Sequence, residues 1–209
     1  MAWTTIERLD ESRIKQSADV LGRAFLDDPL YLHLLPSLGD RQDRLPWLME
    51  FGLGYGLQWG EVFTTSGAVQ GNAVWLPPGE AHIHPDRLMD LVAEGPGRLG
   101  EDAFERFVRF MMVGQRLHQD AMPEPHWYLM VLGVEPTLQG QGIGSALLAP
   151  MLARIDAACL PSYLETTNHR NLDFYQKQGF EVVTEMHIDD EDGPKIWTMR
   201  REPRRLLEV

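Results

Sequence analysis

The stretch that most constrains the fold is an almost wholly apolar run, His126-Trp127-Tyr128-Leu129-Met130-Val131-Leu132-Gly133-Val134, which leads through a glycine-rich turn into a helical run from about residue 142 to 158. Apolar side chains at consecutive rather than alternate positions mark a strand covered on both faces, at the centre of a sheet. The turn reads Gln139-Gly140-Gln141-Gly142-Ile143-Gly144. Glycines let the backbone turn tightly and remove side chains that would block an approaching ligand. The first N–H groups of the following helix have no internal partners and point outward, where the helix dipole favours an anion. Strand, turn and helix start together make a phosphate seat. Two common phosphate loops fail on spacing. The residue three after Gly142 is Ser145 and the residue three after Gly144 is Leu147, so there is no Gly-x-Gly-x-x-Gly, and a Gly-Lys-Ser/Thr ending is missing.

Elsewhere the periodicity alternates between strand and helix. Residues 4–9 read as a short strand. Ile14, Ala18, Leu21, Ala24 and Phe25 recur at helical spacing, and Asp27-Asp28-Pro29 is expected to stop that helix, because the residue before proline avoids the helical region. A second helix is expected from Arg41 towards Gln58, with Gly52, Gly54 and Gly56 marking close packing of another element or a frayed end. Residues 61–66 and 70–76 form a hairpin around Ser66-Gly67-Ala68. Residues 85–94 and 101–120 read as helices separated by Gly95-Pro96-Gly97. Phe104, Phe107, Val108, Met111 and Met112 on the second are read as core in preference to pocket lining. After the glycine-rich turn come a strand at 162–166, a helix at 168–178, a strand at 181–188, an acidic turn at 189–193 and a last strand at 195–201. Arg200, Arg201, Arg204 and Arg205 are read as a solvated tail. No linker divides the chain, so one domain is expected over 1–209.

Composition closes off several functions. With 44% hydrophobic and 24% charged residues, disorder and fibrous repeats are excluded. Lys plus Arg is 19 against 31 Asp plus Glu, a formal net charge of −12, which argues against a nucleic-acid partner. Cys159 is alone, so neither an internal disulfide nor a cysteine zinc site can form, and it is read as a buried small hydrophobe. His82 and His84 alternate along an extended segment, but no third ligand of fitting spacing accompanies them, so no metal is expected. The first residues lack the basic flank and apolar run of a signal peptide, and no apolar run approaches the roughly 20 residues that span a bilayer. A cytoplasmic protein without a membrane segment is expected.

The turn matches Gln/Arg-x-x-Gly-x-Gly/Ala as Gln139, Gly142 and Gly144. It resembles the pyrophosphate-binding motif of the GCN5-related N-acetyltransferases (the GNAT superfamily). A second block of that family has its counterpart in Asn168, Phe174, Tyr175, Gly179 and Phe180, with Asn171 departing from the small apolar residue usual there. The resemblance runs from about Trp127 to Phe180. The phrases Leu132-Gly133-Val134-Glu135-Pro136, Pro161-Ser162-Tyr163-Leu164-Glu165-Thr166 and Arg170-Asn171-Leu172, with Pro150 inside its helix, look most like the branch that includes puromycin N-acetyltransferase.

The resemblance implies an α/β (α+β) fold, with a central mixed, mostly antiparallel and splayed sheet flanked by helices. It implies acetyl-CoA as acyl donor, bound over a core of about 126–180, and direct transfer to a primary amine of a small molecule. Leu132, Gly133 and Val134 would pair with the pantetheine arm. Gln139, Gly140, Gln141, Gly142, Ile143, Gly144 and Ser145 would hold the pyrophosphate, with Asn168, Asn171 and Tyr175 beside them. The chemistry needs a base for the amine, a donor for the oxyanion and an acid for the thiolate. Tyr175 stands where the family places the acid, or else caps its helix against the sheet. Glu135 and Glu165 are both candidates for the base, though a carboxylate before proline, as Glu135 before Pro136, is often turn polarity. Asn168 is also read as an N-cap. Asp27 and Asp28 are candidates to hold a cationic substrate, steered by charge and so weakened by salt. A non-catalytic CoA-binding module is the alternative, and a homodimer is left open.

Overall fold

The computed structural model describes residues 5–188 and 193–204, so residues 189–192 of the acidic turn at 189–193, and Arg205, lie outside the described residues. The strands are Ile6–Arg8 (β1), Glu61–Thr65 (β2), Gly71–Leu76 (β3), Trp127–Val134 (β4), Ser162–Thr166 (β5), Glu181–His187 (β6) and Lys195–Arg201 (β7). They make one seven-stranded sheet in the order β1-β2-β3-β4-β5-β7-β6. Every neighbouring pair is antiparallel except β4 with β5. The helices are Ile14–Ala24 (α1), Pro29–Leu34 (α2), Leu38–Trp59 (α3), Met89–Leu99 (α4), Glu101–Ala121 (α5), Ile143–Ala157 (α6) and Leu172–Lys177 (α7). The mixed, mostly antiparallel sheet with flanking helices agrees with the expected fold class.

Strand alternation sorts the side chains between two layers. Ala73, Trp75, Trp127, Leu129, Leu164 and Met199 pack with Leu147, Leu148, Met151 and Ile155 of α6. Val74, on the opposite face of β3, packs with Leu21 of α1 and Leu53 of α3. That second layer is tight. A Cβ on Gly56 would lie 2.3 Å from Val74 Cγ1, and one on Gly133 would lie 2.6 Å from Leu21 Cδ2. Gly133 is therefore required by the passage of α1 beneath β4.

Two irregularities at β4 open the sheet. Its pairing with β3 steps from Val74↔Val131 to Trp75↔Leu129, leaving Met130 as the extra residue of a bulge. Its pairing with β5 is confined to Trp127↔Ser162 and Tyr128↔Tyr163. Beyond that point the two parallel strands part, and the backbone from Met130 to Val134 has no β5 partner. This splay is why β4, read as covered on both faces, is only part-buried at Met130, Val131 and Leu132.

Several sequence expectations are corrected. Asp28-Pro29 does not stop a helix: α1 ends at Ala24, and Asp28 caps α2, accepting from Leu30 N–H at 3.1 Å with Pro29 in the first turn. Proline lacks the N–H that is unpaired there anyway. Gly95-Pro96-Gly97 does not separate helices, because α4 runs on to Leu99 and breaks at Gly100, at φ +88°. A Cβ on Gly95 would meet Phe104 at 2.3 Å, so that glycine serves α4–α5 packing. Arg201 is not a solvated tail residue. It is 2% exposed and bonds both Asp156 oxygens at 2.7 Å. Cys159 is exposed, at φ +51°. In the α5 stripe Phe107 is buried, whereas Met112 is 68% exposed.

Candidate active site

A cavity of about 630 Å³ opens where β4 and β5 part and α6 begins. Leu132, Gly133, Val134, Gln139, Gly140, Gly142, Ile143, Gly144, Ser145, Asn168, Asn171 and Tyr175 all line it. Gln141 does not; its side-chain amide turns back to donate to the Thr137 carbonyl at 3.4 Å. Gly140 and Gly142 adopt φ +75° and +88°, and a Cβ on either would meet no protein atom within 4 Å. Positive φ is what calls for glycine at these two positions, and the bare backbone leaves the space before α6 open to a ligand. Gln139 braces the turn by donating to the Val134 carbonyl at 3.1 Å. Ser145 Oγ accepts from Gln178 at 3.1 Å. Asn168 caps the next turn, accepting from Arg170 N–H at 3.2 Å, so the N-cap reading applies to a residue that also lines the cavity. Arg23 and Arg170 line it too. Sequence reasoning missed both cations, since neither sits inside the glycine motif.

A second cavity, of about 190 Å³, lies against the first. Phe25, Asp28, Leu132, Asn171 and Tyr175 line both. The second cavity's walls are mainly apolar: Leu30, Phe51, Phe107, Phe110 and Met111 are among them. Phe107 and Met111 thus serve as pocket lining as well as core, the reading the sequence had ranked second. Glu165 and Asp28 are the carboxylates among its lining residues. Strand alternation places Glu165 opposite Leu164, which packs with α6, and on the same side as Tyr163. Burial raises the Glu165 pKa to about 7, and the hydroxyls of Tyr128 and Tyr163 hold it back part-way. Tyr163 Oη completes no hydrogen bond of good geometry, so its share is the smaller.

The remaining candidates divide. Tyr175 is 6% exposed at the junction of the cavities. Burial, then the Asp28 charge, raises its phenol pKa well above the ordinary range, keeping it protonated. Asp28 accepts from Thr167 Oγ1 at 2.7 Å, and burial raises its pKa against that bond. Asp27 lines the larger cavity only. Glu135 lines neither; both Arg23 Nε and Nη2 bond its Oε2, at 3.0 and 2.7 Å. The structure therefore brings Tyr175, Glu165 and Asp28 together and leaves Glu135 outside, held by an arginine.

His82 and His84 do not gather a metal set: among the described residues, no group of three or more His, Cys, Asp or Glu side chains is arranged to hold an ion. No helix among them is long and apolar enough to cross a membrane.

Residues 99–182 match the family model of the acetyltransferase (GNAT) domain. That segment is similar to a GNAT acetyltransferase domain. The matched segment contains β4, the glycine-rich turn, the start of α6 and α7, which line the larger cavity together with Arg23, Phe25 and Asp28 from outside the match. An uncharacterized N-acetyltransferase of Schizosaccharomyces pombe is 26% identical over 208 residues, covering 94% of this chain and 83% of that protein. Among solved structures, a histone acetyltransferase HPA2 and related acetyltransferase from Corynebacterium glutamicum superposes with a TM-score of 0.69 at 24% identity, over 98% of this chain and 99% of that one. Arylalkylamine N-acetyltransferase 2 from Aedes aegypti superposes with a TM-score of 0.67 at 14% identity, over 96% and 99%. The fold is thus shared with these structures along nearly the whole chain, and the family-model match together with the N-acetyltransferase relative supports an acetyltransferase enzyme.

Proposed function

We propose that this acetyltransferase moves the acetyl group of acetyl-CoA onto the primary amine of a small molecule with an apolar body. The observation that carries the reading is the pair of abutting cavities, one opening on the glycine turn and the other apolar with two carboxylates, sharing Tyr175 in their common wall. The larger suits the donor: positive-φ glycines with open space before them, the start of α6, and Arg23 and Arg170 for phosphates. The smaller suits an acceptor whose aliphatic or aromatic part rests on Phe51, Phe107, Phe110 and Met111 while its amine points to Glu165. The likeness of 161–166 to the puromycin N-acetyltransferase branch also favours a small-molecule acceptor. Overall acidity would suit any cation, whereas this lining selects amines that bury an apolar group.

Acetyl-CoA supplies a thioester carbonyl and a thiol leaving group. Glu165 takes the proton of the bound ammonium, made basic by its burial. The β4 backbone beyond Met130, without a β5 partner, is available to pair with the donor's arm and to offer an N–H to the carbonyl oxygen. Tyr175 donates its proton to the departing sulfur. Glu135 is replaced as candidate base by Glu165 because Arg23 already holds its carboxylate.

The test is thiol release from acetyl-CoA with a panel of amines of matched charge and graded apolar size. Phenylalkyl and medium alkyl amines should exceed the hydrophilic polyamines in kcat/KM. Equal rates across the panel, or release with none, would remove the acceptor assignment.

A further inference from the structure

A cluster of three imidazoles from separated parts of the chain reaches Glu165 through His118: His82 from the loop after β3, His118 from the last turn of α5, and His126 from just before β4. His118 Nδ1 lies 3.9 Å from Glu165 Oε1. Its Nε2 lies 2.7 Å from His126 Nε2. His126 Nδ1 lies 2.6 Å from the Glu124 carbonyl oxygen. The Tyr163 ring stacks on His118, centroids 4.0 Å apart and planes 14° from parallel. His82 faces both rings, at 4.6 and 5.6 Å between centroids.

These contacts determine where the protons sit. A carbonyl oxygen only accepts, so His126 Nδ1 carries a hydrogen. Burial depresses both imidazoles, with His82 adding to it, and His118 falls to about 2, so both rings are neutral near pH 7. A neutral ring protonated on Nδ1 has a bare Nε2. His126 Nε2 is therefore the acceptor, and His118 Nε2–H is the donor. That leaves His118 Nδ1 bare, and Nδ1 is the atom turned to Glu165. A separation of 2.7 Å between ring nitrogens is within hydrogen-bond range.

We propose that His126 clamps the tautomer of His118, so that His118 acts as a positioning residue presenting an unprotonated nitrogen to Glu165. The proposal rests on Glu165 being the base. Clamped in this way, His118 cannot donate to the Glu165 carboxylate, so it does not stabilise the charged form, and it offers an acceptor when Glu165 carries the amine's proton. Released, His118 is free to carry its hydrogen on Nδ1, donate to the carboxylate and weaken the base.

The surrounding groups are these. Glu165 faces Tyr128 of β4, Tyr163 of β5 and His118 of α5, and Tyr128 also faces Tyr31 of α2. His118 faces His82, His126 and the rings of Tyr128 and Tyr163. His126 faces His82, Glu124 and Arg200 of β7, and Arg200 pairs with Glu124 at 2.6 Å. His84 acts on His82.

The experiment compares His126→Phe, which removes the acceptor, with His126→Gln, which retains one. It reads the pH profile of kcat/KM and the ¹⁵N imidazole shifts of His118 in the full chain. Wild type and His126→Gln should show His118 protonated on Nε2, with an acid limb near pH 7. In His126→Phe the His118 hydrogen should move to Nδ1 and the limb should fall by about one pH unit. Wild-type His118 protonated on Nδ1 overturns the proposal, as does a folded His126→Phe with an unchanged limb. Should His126→Phe not fold, the wild-type tautomer decides alone. The tautomer is read without turnover, so loss of Glu165 as base, seen as a wild-type rate in Glu165→Gln, is distinguishable from loss of the clamp.

Discussion

The Thr167 hydroxyl donates to Asp28 Oδ1 at 2.7 Å, joining residues 139 positions apart. The bond ties the start of α2 to the turn after β5, and both residues line the smaller cavity. Each is 8% exposed, so the carboxylate depends on Thr167 and the Leu30 N–H for what water would otherwise supply. Thr167→Val keeps the shape and removes one donor. It should cost about 1–3 kcal/mol in urea unfolding at neutral pH, with Thr167→Ser recovering most of it. Burial raises the Asp28 pKa and Thr167 lowers it, so the deficit should shrink in acid, where the carboxyl is protonated. A deficit that does not vary with pH would mean that the bond is not to a charged group.

Tyr175→Phe keeps the ring that packs 6.0 Å from Phe180 and deletes the hydroxyl. Turnover should fall by roughly 10²-fold or more, with acetyl-CoA affinity little changed. Because the phenol pKa is raised by burial, Tyr175 should stay protonated through the ordinary working range and add no basic limb there. A wild-type kcat in Tyr175→Phe would leave it a helix cap.

How legible was this site beforehand? Regular local patterns told most: β5 and β7 lie at the expected residues because alternation and flanking turns bound them, and the glycine turn carried its own geometry. Two misreadings were local rules overridden by context. Pro29 begins a helix instead of ending one, and Phe104 packs against Gly95 where a break was expected. What stayed hidden was non-local. Arg201 meets Asp156 across 45 positions, and His82, His118 and His126 converge only because the loop after β3, α5 and β4 meet beside Glu165. Nothing in a one-dimensional pattern marks a charged tail as buried or a scattered histidine as part of a cluster.

Gly142→Ala tests the donor seat. At φ +88° a Cβ strains the backbone, by roughly 1–2 kcal/mol, yet meets no protein atom, so the protein should fold. The methyl enters the cavity before α6, and acetyl-CoA affinity in calorimetry should drop about tenfold or more. Unchanged affinity in the folded variant would remove the turn from the donor site.

Ionic strength separates steering at the surface from binding in a pocket. Reading Asp27 and Asp28 as charge-steering candidates implies the former, with Glu135 and Glu165 as further acidic side chains on the acceptor side. In the structure Glu135 is occupied by Arg23, Asp27 lies on the donor side, and Asp28 and Glu165 sit in a mainly apolar cavity. Salt screens exposed charges far more than enclosed ones. The amine KM should therefore change less than about threefold between low salt and 0.5 M salt, and a steep rise would restore surface steering.

Glu165 makes a prediction for rate and a second one for stability, with linked signs. Its pKa is raised from 4.5 to about 7 by burial. A base must be ionised, so kcat/KM should fall as pH drops below about 7, and Glu165→Gln should lower the plateau and abolish that limb, whereas Glu135→Gln should leave it in place. For stability, a raised carboxyl pKa means that the folded state binds more protons than the unfolded state between the two values. Stability is then greatest below about pH 4.5, declines as pH rises to about 7, and is level above. The decline assignable to this group is on the order of 3 kcal/mol. Glu165→Gln cannot ionise, so its stability relative to wild type should rise across that same window, read by urea unfolding at pH 5 and pH 8. A variant that gains nothing between those two pH values would show that Glu165 is ionised in the folded protein throughout, and with it the acid limb of the rate would need another owner.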